Sequence, residues 1–172
     1  RTTHYHARNT IVTAAGKIRH EEVVDRVAAQ LDSLPTRKPR AVKACPAAPT
    51  APRLAVEGRD IQQTQLALAL PSPGHCDARR YAFHLLNVIL GANASSRLFQ
   101  EMREKRGLCY SVSSHWMSLN DGGYLDISAG LDRKNIEKSL TLIFSQFDNL
   151  REKPVGAAEL RRAKDYTIGS SL

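Results

Sequence analysis

A chain of 172 residues that is 42% hydrophobic and 24% charged can bury one ordinary core and is too apolar to stay disordered. Its net charge of +8 raises nucleic acid as a partner, but the basic residues are scattered. The densest run, Arg37, Lys38, Arg40 and Lys43, sits in a Pro/Ala-rich stretch, no aromatic-studded basic strand occurs, and no apolar run reaches membrane-span length, so neither nucleic acid nor a membrane span is expected.

In chain order, RNTIVTAAG (8–16) reads as a short strand closed by Gly16. His4-Tyr5-His6 just before it reads as a solvated strand entry rather than a metal site, since two ligands hold a metal weakly. Residues 20–34 place Val23, Val24, Val27, Ala28, Leu31 and Leu34 on one helical face. Residues 35–53 then hold five prolines, which remove amide donors and block helix, so an extended linker is expected. A strand follows over 61–70, ended by PSPG, and then a helix over 77–90 with Ala82, Leu85, Leu86 and Ile89 inward, stopped at Gly91. A second helix spans 95–106, with Ser95-Ser96 at its start where serines commonly cap free amides. Strands over 108–117 and 122–131 flank Asn120-Asp121-Gly122, a hairpin turn signal. Residues 134–151 return to helix with Ile136, Leu140, Ile143, Phe144, Phe147 and Leu150 inward; Pro154 breaks it, and a last helix starts at 157.

Helices inserted between strands, with one antiparallel hairpin, describe an α+β fold: an antiparallel sheet with helices packed on one face. The domain boundaries expected are a strand–helix unit at 1–34, a Pro-rich linker at 35–56, and a main domain at 57–172. The chain starts at Arg1 rather than Met and ends in Ser-Ser-Leu, which reads as a piece cut from a longer protein.

Most catalytic signatures are missing. Neither HExxH nor HxxEH occurs among the six histidines, and there is no GxGxxG, GxxxxGK[ST] or GxSxG. Cys45, Cys76 and Cys109 match no CxxC spacing, so neither a disulfide framework nor structural zinc is suggested. On residue type and periodicity alone, Cys109 is a small packing residue, Arg103 a solvated helix residue and Tyr110 a core residue.

One stretch is specific enough to add a resemblance. LGANASSRLFQEMREKRGLCYSVSS (90–114) resembles the signature of the second, non-catalytic domain of pitrilysin/insulinase-type zinc peptidases, which include the mitochondrial processing peptidases. Tyr5 and Asn9 with IVTAAG resemble that family's entry to the last strand of its catalytic domain; Glu159, Leu160, Arg161, Ala163 and Lys164 resemble its downstream ExxRAK helix. Cys109 stands where Ala is common, and Lys17-Ile18-Arg19 replaces a usually acidic helix entry.

The resemblance implies a division of labour. The zinc ligands and general base lie on an HxxEH-bearing catalytic domain or subunit, so this chain itself is expected to carry no cofactor and to cut no peptide. It implies a substrate-binding role instead, with Arg103 and Tyr110 reaching a peptide substrate near the zinc. It also makes 1–34 the closing unit of the preceding catalytic domain, able to dock on the sheet of 57–172 or, exchanged between copies, to give a swapped dimer. A purely structural subunit with no role in proteolysis is the other reading. The compartment stays open among bacterial cytoplasm, periplasm and mitochondrion.

Overall fold

The structure is a computed structural model that describes residues 4–38, 41, 43, 49 and 51–170, so part of the proline-rich linker, including Cys45, lies outside the described residues. It divides into two compact units, 1–44 and 45–172.

The first unit contains helix α1, His20–Leu31. Its entry lacks a side-chain cap, as expected with Arg19 at the capping position. The expected strand over 8–16 is absent: Ala7–Asn9 form a 3-10 turn and the residues after it are extended and unpaired. β-Branched residues such as Thr10, Ile11, Val12 and Thr13 fit a sheet, but only a neighbouring strand supplies the hydrogen bonds that make a strand of them. His6 is buried rather than solvated.

The second unit is built on strands β1 (Thr64–Ser72), β2 (Cys109–Ser118) and β3 (Gly123–Leu131), antiparallel in the order β1-β3-β2. Helix α2 (Arg80–Leu90) follows β1, and helices α3 (Ile136–Glu152) and α4 (Ala157–Gly169) follow β3. The expected α+β fold with an antiparallel sheet is therefore present. β1 runs through Pro71, beyond the expected end, because an edge strand tolerates a residue without an amide hydrogen. The β2–β3 connection is the four-residue loop 119–122, closed by the Leu119 amide donating to the Gly122 carbonyl (2.8 Å).

One face of the sheet makes the core. Leu125, Ile127, Ala129 and Leu131 of β3 join Val112 of β2, with Leu66, Leu68 and Leu70 of β1 packed against them. Leu90 of α2 and Leu142 and Ile143 of α3 close this layer. Each such side chain is worth about 1.5–3 kcal/mol when fully buried. Of the expected α3 stripe, Ile136, Ile143, Phe147 and Leu150 pack in the core, whereas Phe144 is half exposed and Ser139 and Leu142 are buried instead. Ala82 of α2 is exposed as well, while Asn87 is buried and its Oδ1 accepts from the Ser114 hydroxyl at 2.7 Å. A buried amide is tolerated when it is hydrogen-bonded, and this one ties α2 to β2. Gly91 makes that approach possible, since a Cβ there would lie 2.9 Å from the Ser114 backbone nitrogen.

Just before α2, Asp77 accepts from the amide of Arg79 (2.8 Å) and from its guanidinium (2.7 Å). These bonds hold the Asp77 carboxyl down at about 2. No described helix is long and apolar enough to cross a membrane.

Candidate functional site

Between α2 and β2 the chain does not form the α-helix expected over 95–106. It begins with a short turn at Arg97-Leu98 and continues as a six-residue π-helix, Phe99–Glu104. Within it the Lys105 amide donates to the Gln100 carbonyl at 3.0 Å, the wide spacing of that helix type. Leu98 and Met102 are fully buried on its core side. π-Helical turns are uncommon and concentrate at functional sites.

Ser95 and Ser96 do not cap this segment. Asn93 organises its start instead, its Oδ1 accepting from the Ser95 amide (2.8 Å) and its Nδ2 donating to the Val88 carbonyl (3.2 Å). Ser96 is buried, and its hydroxyl has no partner among the described residues.

The segment ends at Gly107, whose φ of +57° is the left-handed conformation that glycine reaches without steric cost. The Gly107 amide donates to the Arg103 carbonyl (3.1 Å) and the Leu108 amide to the Met102 carbonyl (2.8 Å), so the chain reverses within two residues into β2.

That reversal lies between Arg103, on the π-helical segment, and Tyr110, near the start of β2. Arg103 is exposed, and its guanidinium lies over the Phe99 ring at 5.0 Å from the centroid. Tyr110 is 56% exposed, contrary to the core position its alternation suggests. The cause is a β-bulge: Cys109 pairs with Leu131 and Ser111 with Gly130, which leaves Tyr110 as the extra residue. A bulge shifts the side-chain alternation by one. Cys109 and Val112 both face the core as a result, and Tyr110 is turned to solvent. The Tyr110 hydroxyl has one long contact, 3.5 Å to Asp132 Oδ1, which leaves most of its hydrogen-bonding capacity available.

Cys109, next to Tyr110 in β2, faces the core. Burial pushes its thiol pKa up and the Arg103 charge opposes this only in part, so it is a packing residue and not an activated nucleophile. Among the described residues, no group of three or more His, Cys, Asp or Glu side chains could hold a metal ion.

Two further interactions hold the π-helical segment, and local periodicity shows neither. Arg97 and Glu159 form a two-pronged ion pair across 62 residues, with Nε donating to Oε1 at 2.8 Å and Nη2 to Oε2 at 2.7 Å. Their side chains are 21% and 26% exposed. Hydrogen bonding to Arg97 lowers the Glu159 carboxyl against the opposing effect of burial. The pair fastens the start of the π-helical segment to the first turn of α4, beside a polar cleft of about 450 Å³ whose lining includes Ser95, Gln100 and Asn149. The second interaction is at Glu101, which takes Lys105 Nζ at 2.6 Å on one oxygen and Arg106 on the other. Both of these cations pull its carboxyl below the ordinary glutamate range. The available signal for the first was the joint presence of SSRLF and ExxRAK, whose Arg and Glu turn out to be partners.

The chain matches the model of the peptidase M16 inactive domain over residues 1–166. It is 34% identical over 177 residues to an uncharacterized zinc protease of Streptomyces coelicolor, covering 98% of this chain and 38% of that protein. A second uncharacterized zinc protease, YmxG of Bacillus subtilis, is 32% identical over 66% of this chain and 28% of its own length. The chain thus spans under two-fifths of the relatives it matches. Among solved structures, a peptidase M16 inactive domain from Pseudomonas fluorescens superposes with a TM-score of 0.71 at 31% identity, over 89% of this chain and 37% of that one. A conserved protein from Enterococcus faecalis shares the fold, with a TM-score of 0.79 at 24% identity over 91% and 36% of the two chains.

Proposed function

Since the chain belongs to the peptidase M16 inactive domain family, we propose that it is the substrate-binding half of a zinc metalloendopeptidase whose Arg103 and Tyr110 contact the bound peptide. The observation that carries this reading is the state of the two side chains. One is a charged guanidinium and the other a phenol, both exposed and neither engaged by a strong partner among the described residues. Both are donors suited to a peptide carbonyl, and to the oxyanion that forms when water attacks it. The zinc and the base that activates that water belong to the catalytic domain outside this chain. Zinc supplies a nucleophile and a Lewis acid there, and what these residues add is orientation of the peptide and stabilisation of developing charge.

Tyr110→Phe in the full-length protein tests this, because it removes one donor and leaves the ring. A fall in peptide cleavage of about tenfold or more, at unchanged zinc content, is the expected result. Wild-type kinetics for this variant would favour the structural-subunit reading.

The proposal extends to residues 1–34 as the closing unit of the preceding catalytic domain. Helix α1 has no fully buried side chain, and a 12-residue helix is marginal by itself. Its Val23/Val27/Leu31 stripe therefore gains most of its stability from a surface it covers, either in the same chain or, exchanged, in a swapped dimer. Amide exchange reads this directly: residues 23–31 are expected to be protected in the full-length protein. Rapid exchange there, with the β1–β3 sheet protected, would show a segment that docks nowhere.

A further inference from the structure

Among the ion-paired arginines of the second unit, Arg59, Arg79, Arg97, Arg106 and Arg151 each hold a carboxylate: Glu57, Asp77, Glu159, Glu101 and Asp148. Arg103 is in no ion pair among the described residues, although Glu101 is two residues before it and Glu104 beside it; it lies on the Phe99 ring, as Arg80 lies on Tyr81, but Arg80 also donates to the Tyr81 hydroxyl. Glu101 is already engaged on both oxygens by Lys105 and Arg106. Phe99 itself is packed against the core, so its ring is a fixed platform. Residues four apart on a helix lie on one face, which brings residue 103 over residue 99.

A ring face attracts a guanidinium through its quadrupole but takes none of its N–H donors. A carboxylate in the same place would neutralise the charge and use up two of the five donors. We propose that Phe99 is a positioning residue: it fixes Arg103 in place while keeping the guanidinium charged and uncommitted, and Lys105 and Arg106 occupy the carboxylate of Glu101. The inference rests on Arg103 meeting the peptide, and it assigns a role to the Phe of the SSRLF stretch that packing alone would not require.

Peptide cleavage by the full-length protein tests it, with Phe99→Leu, Phe99→Tyr, Arg103→Ala and the Phe99→Leu/Arg103→Ala double variant. Zinc content and Tm are measured alongside. Phe99→Leu is expected to lower kcat by about tenfold with KM within about twofold, since a lost ring contact corresponds to a factor of roughly 2 to 30. Phe99→Tyr should retain most of the rate because the quadrupole is kept. The double variant should be no slower than Arg103→Ala alone, because Phe99 acts only through the guanidinium. If Phe99→Leu does not fold, Phe99→Met, which has similar bulk and no ring, takes its place. Wild-type kcat in the ring-less variant beside an impaired Arg103→Ala overturns the inference and leaves the peptide-binding reading standing. Equal losses in Phe99→Tyr and Phe99→Leu at equal Tm overturn it too, since they point to packing. A wild-type Arg103→Ala removes both readings.

Discussion

Arg103→Ala in the full-length protein is expected to lower kcat/KM for peptide cleavage about 100-fold, with zinc content unchanged. A donor aimed at developing negative charge in a site closed from water typically contributes about 3 kcal/mol, which corresponds to that factor. The stability cost should be small, within about 0.5 kcal/mol, because Arg103 is exposed and makes no ion pair among the described residues. That combination separates a binding role from a folding role. Arg103→Lys sharpens the test, as an ammonium keeps the charge but lacks the planar fork and stacks poorly on Phe99. An intermediate rate is expected for it. Cleavage by Arg103→Ala at the wild-type rate would show that Arg103 does not meet the peptide.

The second large effect is on stability. Breaking the Arg97–Glu159 pair by Arg97→Ala is expected to cost about 2 kcal/mol, between the values for exposed and fully buried pairs. Its two-pronged geometry and limited exposure place it there. The cost arises because Glu159 is left partly desolvated without its cation, and because the start of the π-helical segment loses its tie to α4. The pH dependence has a definite sign. The Glu159 carboxyl is depressed in the folded protein by its hydrogen bonds to Arg97. Its contribution is therefore complete above the unfolded value of about 4.3 and is lost as pH falls through the lower folded value. Denaturant melts of wild type and Glu159→Gln should differ at pH 7 and converge as the pH falls below about 4. A gap that persists undiminished to pH 2 would mean that the difference is packing and not the ion pair.

Legibility differed from place to place for physical reasons. β1 and β3 were readable because alternation over nine residues has no other explanation once one face is buried. The hairpin was readable because Asn-Asp-Gly between two such runs leaves little choice of turn. In α3 the helix and most of its facing were readable, since Ile136, Ile143, Phe147 and Leu150 pack in the core, while Leu142 is buried and Phe144 is half exposed. Tyr110 was misplaced in the core because alternation counts residues, whereas a bulge inserts one that belongs to neither face.

By itself, the sequence determined the α+β class, most element positions and, through the SSRLF-to-GLCY stretch, the family. All of these depend on local periodicity or on a contiguous motif. The tertiary structure alone decided that 99–104 winds as a π-helix, that Tyr110 faces solvent, that Arg97 meets Glu159 62 residues away, and that Arg103 rests on Phe99. Each of those depends on how buried neighbours share space and on which charge reaches which partner. Such outcomes are set by contacts distant in the chain, where a pattern of period 2 or 3.6 carries no information.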